Sequence, residues 1–209
     1  MAIKNIILDL GGVLLDIDYN KTTKAFQDLG FDNFKEMYSQ YSADQLFQKL
    51  ETGQVSEDEF FFIMEDIRKT SRKNIINAWN AMLLNFRFQS FDFIETLRSE
   101  YKIFLLSNTN SIHKSAFDEI FFRERGRKMD EYFDKAYYSH LVGLRKPDLV
   151  IFEFVLKDAG IKGSETLFID DSYNNIETAK KAGIISHLIK ENETIEEVIP
   201  GYLNSSYSM

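Results

Sequence analysis

The sequence contains no cysteine, which removes disulfides, thiolate zinc sites and cysteine nucleophiles from consideration. Its three histidines lie far apart and cannot be read as a histidine cage for a metal. Basic residues are in deficit, 25 Lys and Arg against 33 Asp and Glu, a formal net charge of -8. That balance argues against a nucleic-acid partner and against an anionic membrane surface. No apolar run is long enough to span a bilayer. The opening MAIKNIILDL is broken by Asp9 and does not have the form of a signal peptide. A soluble, cytoplasmic protein is expected. With two prolines and ten glycines the chain holds no low-complexity linker, and no internal repeat is visible.

What is present is an ordinary globular composition, 44% hydrophobic and 28% charged over 209 residues, enough for one domain carrying a modest insertion. Residues 3–8, 102–106 and 166–169 are apolar runs that stop at small polar or acidic residues, and 184–188 forms a further run. Continuous apolar runs closed by turn signals suit buried parallel strands. Helical spacing appears over 91–101, 111–122, 148–159 and 174–182. The alternation predicts an α/β fold, a Rossmann-like parallel sheet flanked by helices. Residues 18–87 break the rhythm. They show no clear apolar strand, but helical spacing over 57–68 and 72–84, with Ser56 and Glu59 as a capping box. The expected organisation is a core of 1–17 and 88–209 with an all-helical insertion of 18–87. Helical periodicity places Trp79 and the Phe60–Phe62 run in its core, and Glu51, near Gly53, is a candidate to touch substrate. Residues 204–209 read as a small polar tail.

In an open parallel sheet, ligands bind beyond the carboxyl ends of the strands, so residues just after each run should converge. Asp9 is followed by two glycines, which would let backbone amides approach a ligand; an Asx-turn closing the strand is the alternative. Asp170 and Asp171 are adjacent carboxylates of the kind a hard dication selects, or else a solvated helix cap. Lys146, fixed by Pro147, can act as a point charge for phosphate, although it could simply begin a helix, against the dipole. Ser107 and Asn108 precede a helix start and could bind an anion or cap the helix.

Taken in order, DLGGVL (9–14), LLSNTN (105–110), GLRKPD (143–148) and LFIDDSYNNIETAKKAG (167–183) make the chain resemble the haloacid dehalogenase-like hydrolase superfamily. The resemblance spans the whole chain, with 18–87 similar to that family's cap. It implies a magnesium-dependent phosphatase acting on a small phosphorylated metabolite through an aspartyl-phosphate intermediate. Asp9 would be the nucleophile. Ser107 and Asn108 would bind the phosphoryl group, and Lys146 would steady both nucleophile and phosphate. Asp9, the Gly11 carbonyl, Asp171 and Asp170 would hold Mg²⁺. Asn175 stands where many relatives have a further aspartate.

The departure from the pattern is Gly11, where most phosphatases of the family have a second aspartate as general acid. Its absence should favour good leaving groups, hence sugar 1-phosphates over 6-phosphates, unless Asp16 or Asp18 replaces it. The alternatives are a metal-independent 2-haloacid dehalogenase, which has no use for paired carboxylates, and a phosphomutase, which needs acid–base help that Gly11 lacks. A monomer or weak homodimer is expected.

Overall fold

The computed structural model describes residues 2–35 and 46–204; residues 205–209 of the expected polar tail lie outside them. Five parallel strands form one sheet. They are β1 (Asn5–Leu8), β4 (Lys102–Ser107), β5 (Lys135–Tyr138), β6 (Thr166–Asp170) and β7 (Ile185–Leu188), in the spatial order β5-β4-β1-β6-β7. The most apolar runs occupy the middle. Leu8 of β1 pairs with Leu105 on one side and with Ile169 on the other.

Side chains alternate between two buried faces, as the period of a strand requires. Ile6, Leu8, Ile103, Leu105, Leu167 and Ile169 join one core. Helices α5 (Phe88–Leu97), α6 (Ser111–Arg125) and α10 (Ile195–Asn204) contribute Phe91, Ile94, Phe117, Phe121, Ile195 and Ile199 to it. Ile7, Phe104, Leu106 and Phe168 face the other way. There they meet Ile151, Phe152 and Val155 of α8 (Leu149–Ala159) and Ile176 and Ala179 of α9 (Tyr173–Lys181). The sheet is therefore covered on both faces, which is why its central strands read as unbroken apolar runs.

Strand β5 was not expected. Its sequence, KAYY, is a short mixture with only its last two residues buried, so it lacks the apolar run that marks the others. Helix α5 also starts and ends earlier than the expected 91–101. A four-residue helix, α7 (Ser139–Val142), follows β5.

The insertion holds α1 (Tyr19–Asp28), α2 (Leu46–Glu51), α3 (Glu57–Arg68) and α4 (Arg72–Asn80). The capping box is present: Glu59 N–H donates to Ser56 Oγ at 3.2 Å, and Ser56 N–H to Glu59 Oε2 at 3.4 Å. An all-helical segment is corrected in one respect. Residues of the expected helix 72–84 beyond Asn80 leave the helix, and β3 (Leu83–Phe86) pairs antiparallel with β2 (Leu15–Ile17). This ribbon ties together the two chain crossings. Asp18 N–H donates to the Met82 carbonyl at 3.0 Å, and Arg87 N–H to the Leu14 carbonyl at 2.9 Å. A short run such as LLNF carries no periodicity that separates strand from helix.

The helices enclose an aromatic core of their own, made by Phe26, Phe31, Phe34, Phe47, Phe60, Phe61 and Trp79. Phe26 stacks on Phe34 at 4.0 Å between centroids, and Phe47 on Trp79 at 5.1 Å. Trp79, Phe60 and Phe61 are buried as their spacing predicts, whereas Phe62 is 71% exposed. Ile112 of α6 enters this cluster and joins it to the sheet domain. Among the described residues no helix is long and apolar enough to cross a membrane.

Candidate active site

The sheet brings Asp9, Ser107 and Asp170 to one edge because β1, β4 and β6 run parallel in matched register. Asp9 continues the ladder by one bond, its N–H donating to the Ile169 carbonyl at 3.0 Å. The chain then turns sharply. The Leu10 carbonyl accepts from Leu14 N–H at 2.8 Å and from Leu15 N–H at 2.9 Å. Gly12 makes this turn at φ +74°, and a Cβ on it would lie 2.2 Å from Asp171 Oδ2. Its lack of a side chain is thus what lets Asp171 approach the first strand end.

Lys146 is the hub. Its ammonium lies 2.8 Å from Asp9 Oδ1 and 2.6 Å from Asp170 Oδ2, fully buried between them. The loop carrying it is held by a reciprocal pair. Asn108 Nδ2 donates to the Lys146 carbonyl at 2.7 Å, and Lys146 N–H donates to Asn108 Oδ1 at 2.9 Å. The Asn108 side chain therefore positions the loop that carries the lysine. Ser107, the last residue of β4, is buried beside it. The expectation of a lysine that merely begins a helix does not describe this side chain, which points into the acidic cluster.

Asp170 is saturated with donors: Lys146 Nζ, Ser172 N–H at 2.8 Å, and Asn175 Nδ2 at 2.9 and 3.0 Å to its two oxygens. Asn175 thus acts through Asp170. Carboxylate oxygens of Asp9, Asp170 and Asp171 all lie within 4.8 Å of one another. Burial pushes the Asp9 carboxyl up to about 8, the Lys146 charge working against it and the Asp170 charge with it. Burial and the neighbouring Asp170 also push Asp171 up. Burial pulls the Lys146 ammonium down, but the charges of Asp170 and Asp9 outweigh it and hold it above its usual value. One cation thus serves three carboxylates, and the donor set, all oxygen, fits a hard dication. Asp9, Asp171 and the Gly11 carbonyl, which follows Asp9 closely in the chain, are the groups that would hold it, with Asp170 beside them and already bonded to Lys146, Ser172 and Asn175.

Gly11 is half-buried beside Ile17. A Cβ at Gly11 would come 3.0 Å from Ile17 Cδ1, leaving little room for a longer side chain. Both candidate substitutes for the missing acid are engaged elsewhere: Asp16 accepts from Arg87 Nε at 2.8 Å, and Asp18 caps α1 through Asn20 N–H at 2.9 Å.

Around this centre the expected Trp79 and Glu51 meet residues that the sequence did not single out for the site, Asn110, His113 and Tyr19 among them. Asn110 caps α6, its Oδ1 accepting from His113 N–H at 3.0 Å and from the Trp79 indole at 3.3 Å. Trp79 stacks on His113 at 4.9 Å, and burial pulls the His113 imidazole down to about 3. Tyr19 opens α1; crowding by protein atoms and the charges of Glu51, Asp9, Asp171 and Asp170 push its hydroxyl well up, although half of the residue's surface is still reached by water. Glu51 is paired with Arg145 at 2.9 Å. Tyr19 and Arg145 carry no sequence signal beyond their neighbours in the chain.

The chain is similar to known proteins in sequence and in fold. A family model described as haloacid dehalogenase-like hydrolase matches residues 3–183. The chain is 37% identical over 183 residues to a D-ribitol-5-phosphate phosphatase of Bacteroides thetaiotaomicron, covering 87% of this chain and 89% of that one. A crystal structure of a HAD family enzyme from the same organism, in complex with magnesium and inorganic phosphate, superposes with a TM-score of 0.86 at 35% identity, over 94% of this chain and 99% of the other. A predicted HAD-like family hydrolase of Porphyromonas gingivalis superposes with a TM-score of 0.88 at 32% identity, over the full length of both.

Proposed function

Because the chain belongs to the haloacid dehalogenase-like hydrolase family, we propose that it is a magnesium-dependent phosphatase of a sugar-phosphate class of substrate. The observation that carries this is the convergence of Asp9, Asp170 and Asp171 around one buried lysine at the carboxyl edge of the sheet. A dehalogenase would have no use for the third carboxylate.

Asp9 is the nucleophile. Its Oδ1 accepts from Leu10 N–H at 2.7 Å and faces Lys146, which leaves Oδ2 to attack phosphorus. An oxygen–phosphorus bond forms to Asp9 as the bond from phosphorus to the sugar oxygen breaks, and water then releases phosphate and restores the carboxylate. Lys146 holds the carboxylate in place and lends positive charge to the phosphoryl oxygens. Ser107 donates to the same oxygens. Mg²⁺ on Asp9, the Gly11 carbonyl and Asp171 would neutralise charge on the phosphoryl group and on the carboxylates. Electrostatic stabilisation of this kind supplies most of the catalysis of phosphoryl transfer.

Residues 18–87, set on the β2–β3 ribbon, act as the cap over the site and limit the access of water. With no carboxylic acid at Gly11, and Asp16 and Asp18 engaged elsewhere, the leaving oxygen departs with little proton donation. A general acid typically adds ~10²–10⁴-fold, so its absence should favour leaving groups of lower basicity. Sugar 1-phosphates, which leave as hemiacetals, should then be turned over faster than 6-phosphates. The test is phosphate release across a panel of phosphorylated metabolites with and without Mg²⁺. Release from sugar phosphates that needs Mg²⁺ is expected; undiminished turnover in excess chelator would overturn the proposal.

A further inference from the structure

The insertion and the sheet domain meet in a seam packed like a core. Ile112, in the first turn of α6, is buried among the aromatic side chains of the insertion. Beside it the Trp79 ring stacks on His113 at 4.9 Å, the two planes 8° apart. The Trp79 indole donates to Asn110 Oδ1 at 3.3 Å, and His113 Nδ1 lies 2.8 Å from Asn80 Oδ1. An amide oxygen only accepts, so Nδ1 carries the proton. Trp79 and Asn80 belong to the insertion, Asn110 and His113 to the sheet domain, and Trp79, Asn110 and His113 are all buried.

The two units are joined at two further places. The β2–β3 ribbon carries both chain crossings. Gly53, at φ +67°, sits so close to α7 that a Cβ on it would fall 2.4 Å from the His140 carbonyl. Units that hinge freely meet through modest, polar interfaces. Here, lifting the insertion would unstack Trp79 from His113 and draw Ile112 out of an apolar cluster, which hydrophobic burial opposes. Nor does the site need it lifted. With the insertion seated, Asp171 is exposed and 12% of the Asp9 side chain is reached by water. Tyr19, which feels the charges of both, is exposed as well.

We propose that the insertion is a fixed wall and not a lid. It and the sheet domain form one rigid body, pinned by His113 and Asn110, and small ligands reach Asp9 past Tyr19 and Asp171 without a domain movement. Asn110 is three residues from Ser107, so the same pin sets the 107–110 loop against the insertion. The proposal concerns the frame of the site and stands apart from the phosphatase reading.

The chain has no cysteine, so engineered pairs can be spin-labelled without background. Asp66→Cys on α3 is combined with Lys157→Cys on α8 or with Glu119→Cys on α6. All three positions are exposed, and α8 and α6 cover opposite faces of the sheet. Double electron–electron resonance gives the distances in the full chain, free and with saturating Mg²⁺ and beryllium fluoride, whose binding is followed by calorimetry. One narrow distance per pair, moving by less than about 2 Å on binding, is expected. A second population in the free chain, or a larger shift in either pair, overturns the proposal. In His113→Ala and in the milder Asn80→Ala, each checked by thermal melting, the distances should broaden; distributions as narrow as wild type in both variants overturn the pin. If Mg²⁺ and beryllium fluoride do not bind, the phosphatase reading falls, and the free-chain distances decide this proposal on their own.

Discussion

Gly12→Ala separates the stability of the fold from the construction of the metal site. The residue sits at φ +74°, and its added Cβ would meet Asp171 Oδ2 at 2.2 Å, Cγ at 2.7 Å and Cβ at 3.2 Å. The left-handed backbone costs a non-glycine residue about 1–2 kcal/mol. For a chain of this size each kcal/mol lowers Tm by roughly 2–4 °C, so a drop of about 2–8 °C is expected. The overlap itself can be relieved cheaply, because Asp171 is partly exposed and its carboxylate can swing away. That movement would remove a ligand from the proposed metal site. Displacing a catalytic group by ~1 Å costs on the order of 10²-fold in rate, and losing a carboxylate ligand should weaken Mg²⁺ binding at least tenfold. Calorimetric Mg²⁺ titration and thermal melting on the same samples read both quantities. A variant that melts far lower but binds Mg²⁺ as tightly as wild type would refute the placement of Asp171 against Gly12.

Three further outcomes follow from the same geometry. Lys146→Met leaves Asp9 and Asp170 buried without their counter-ion, so denaturant unfolding should show a loss of about 3–5 kcal/mol besides the loss of activity; unchanged stability would contradict the buried triad. His113 is held down to about 3 by burial, against 6.5 in the unfolded chain. The unfolded state therefore binds a proton that the folded state refuses between those values, and stability is lost as pH falls through that window. At pH 5 this amounts to about 2 kcal/mol relative to pH 8, and His113→Phe should remove that share from urea titrations at the two pH values. Across a series of aryl phosphates the rate should fall steeply with leaving-group basicity, and equally so in Asp16→Asn and Asp18→Asn; a flat dependence, or a selective loss on poor leaving groups in either variant, would identify an acid that Gly11 lacks.

The strand ends were legible because burial on both faces writes itself as an apolar run, and chemistry at the carboxyl edge writes itself as the polar residue that stops the run. Asp9, Ser107 and Asp170 were visible for that reason, and their convergence follows from parallel order alone. Strand β5 was not, since an edge strand with one exposed end needs no such run. The β2–β3 ribbon was hidden for a related cause: Leu83 and Leu84 continue the helical spacing of α4 until the ribbon, with Leu83 opposite Ile17 and Phe86 opposite Leu15, claims them. Within the site, residue types suggested charge but not partners. The sequence offered Asn108 for phosphate and Asp170 for a metal but did not show that Asn108 also brackets the Lys146 backbone or that Asp170 accepts from Lys146, Ser172 and Asn175. The pairing of Glu51 with Arg145 joins positions far apart in the chain, so only the folded chain reveals it.

The central claim is that Asp9 transfers phosphate with the help of Mg²⁺. Its most direct test is phosphate release from a sugar phosphate by wild type and Asp9→Asn, each with Mg²⁺ and with excess chelator, on protein shown to be free of other phosphatases. Release by wild type with Mg²⁺ alone, and by Asp9→Asn under neither condition, is the predicted result. Release by wild type that persists in chelator, or by Asp9→Asn at a rate near that of wild type, would contradict it.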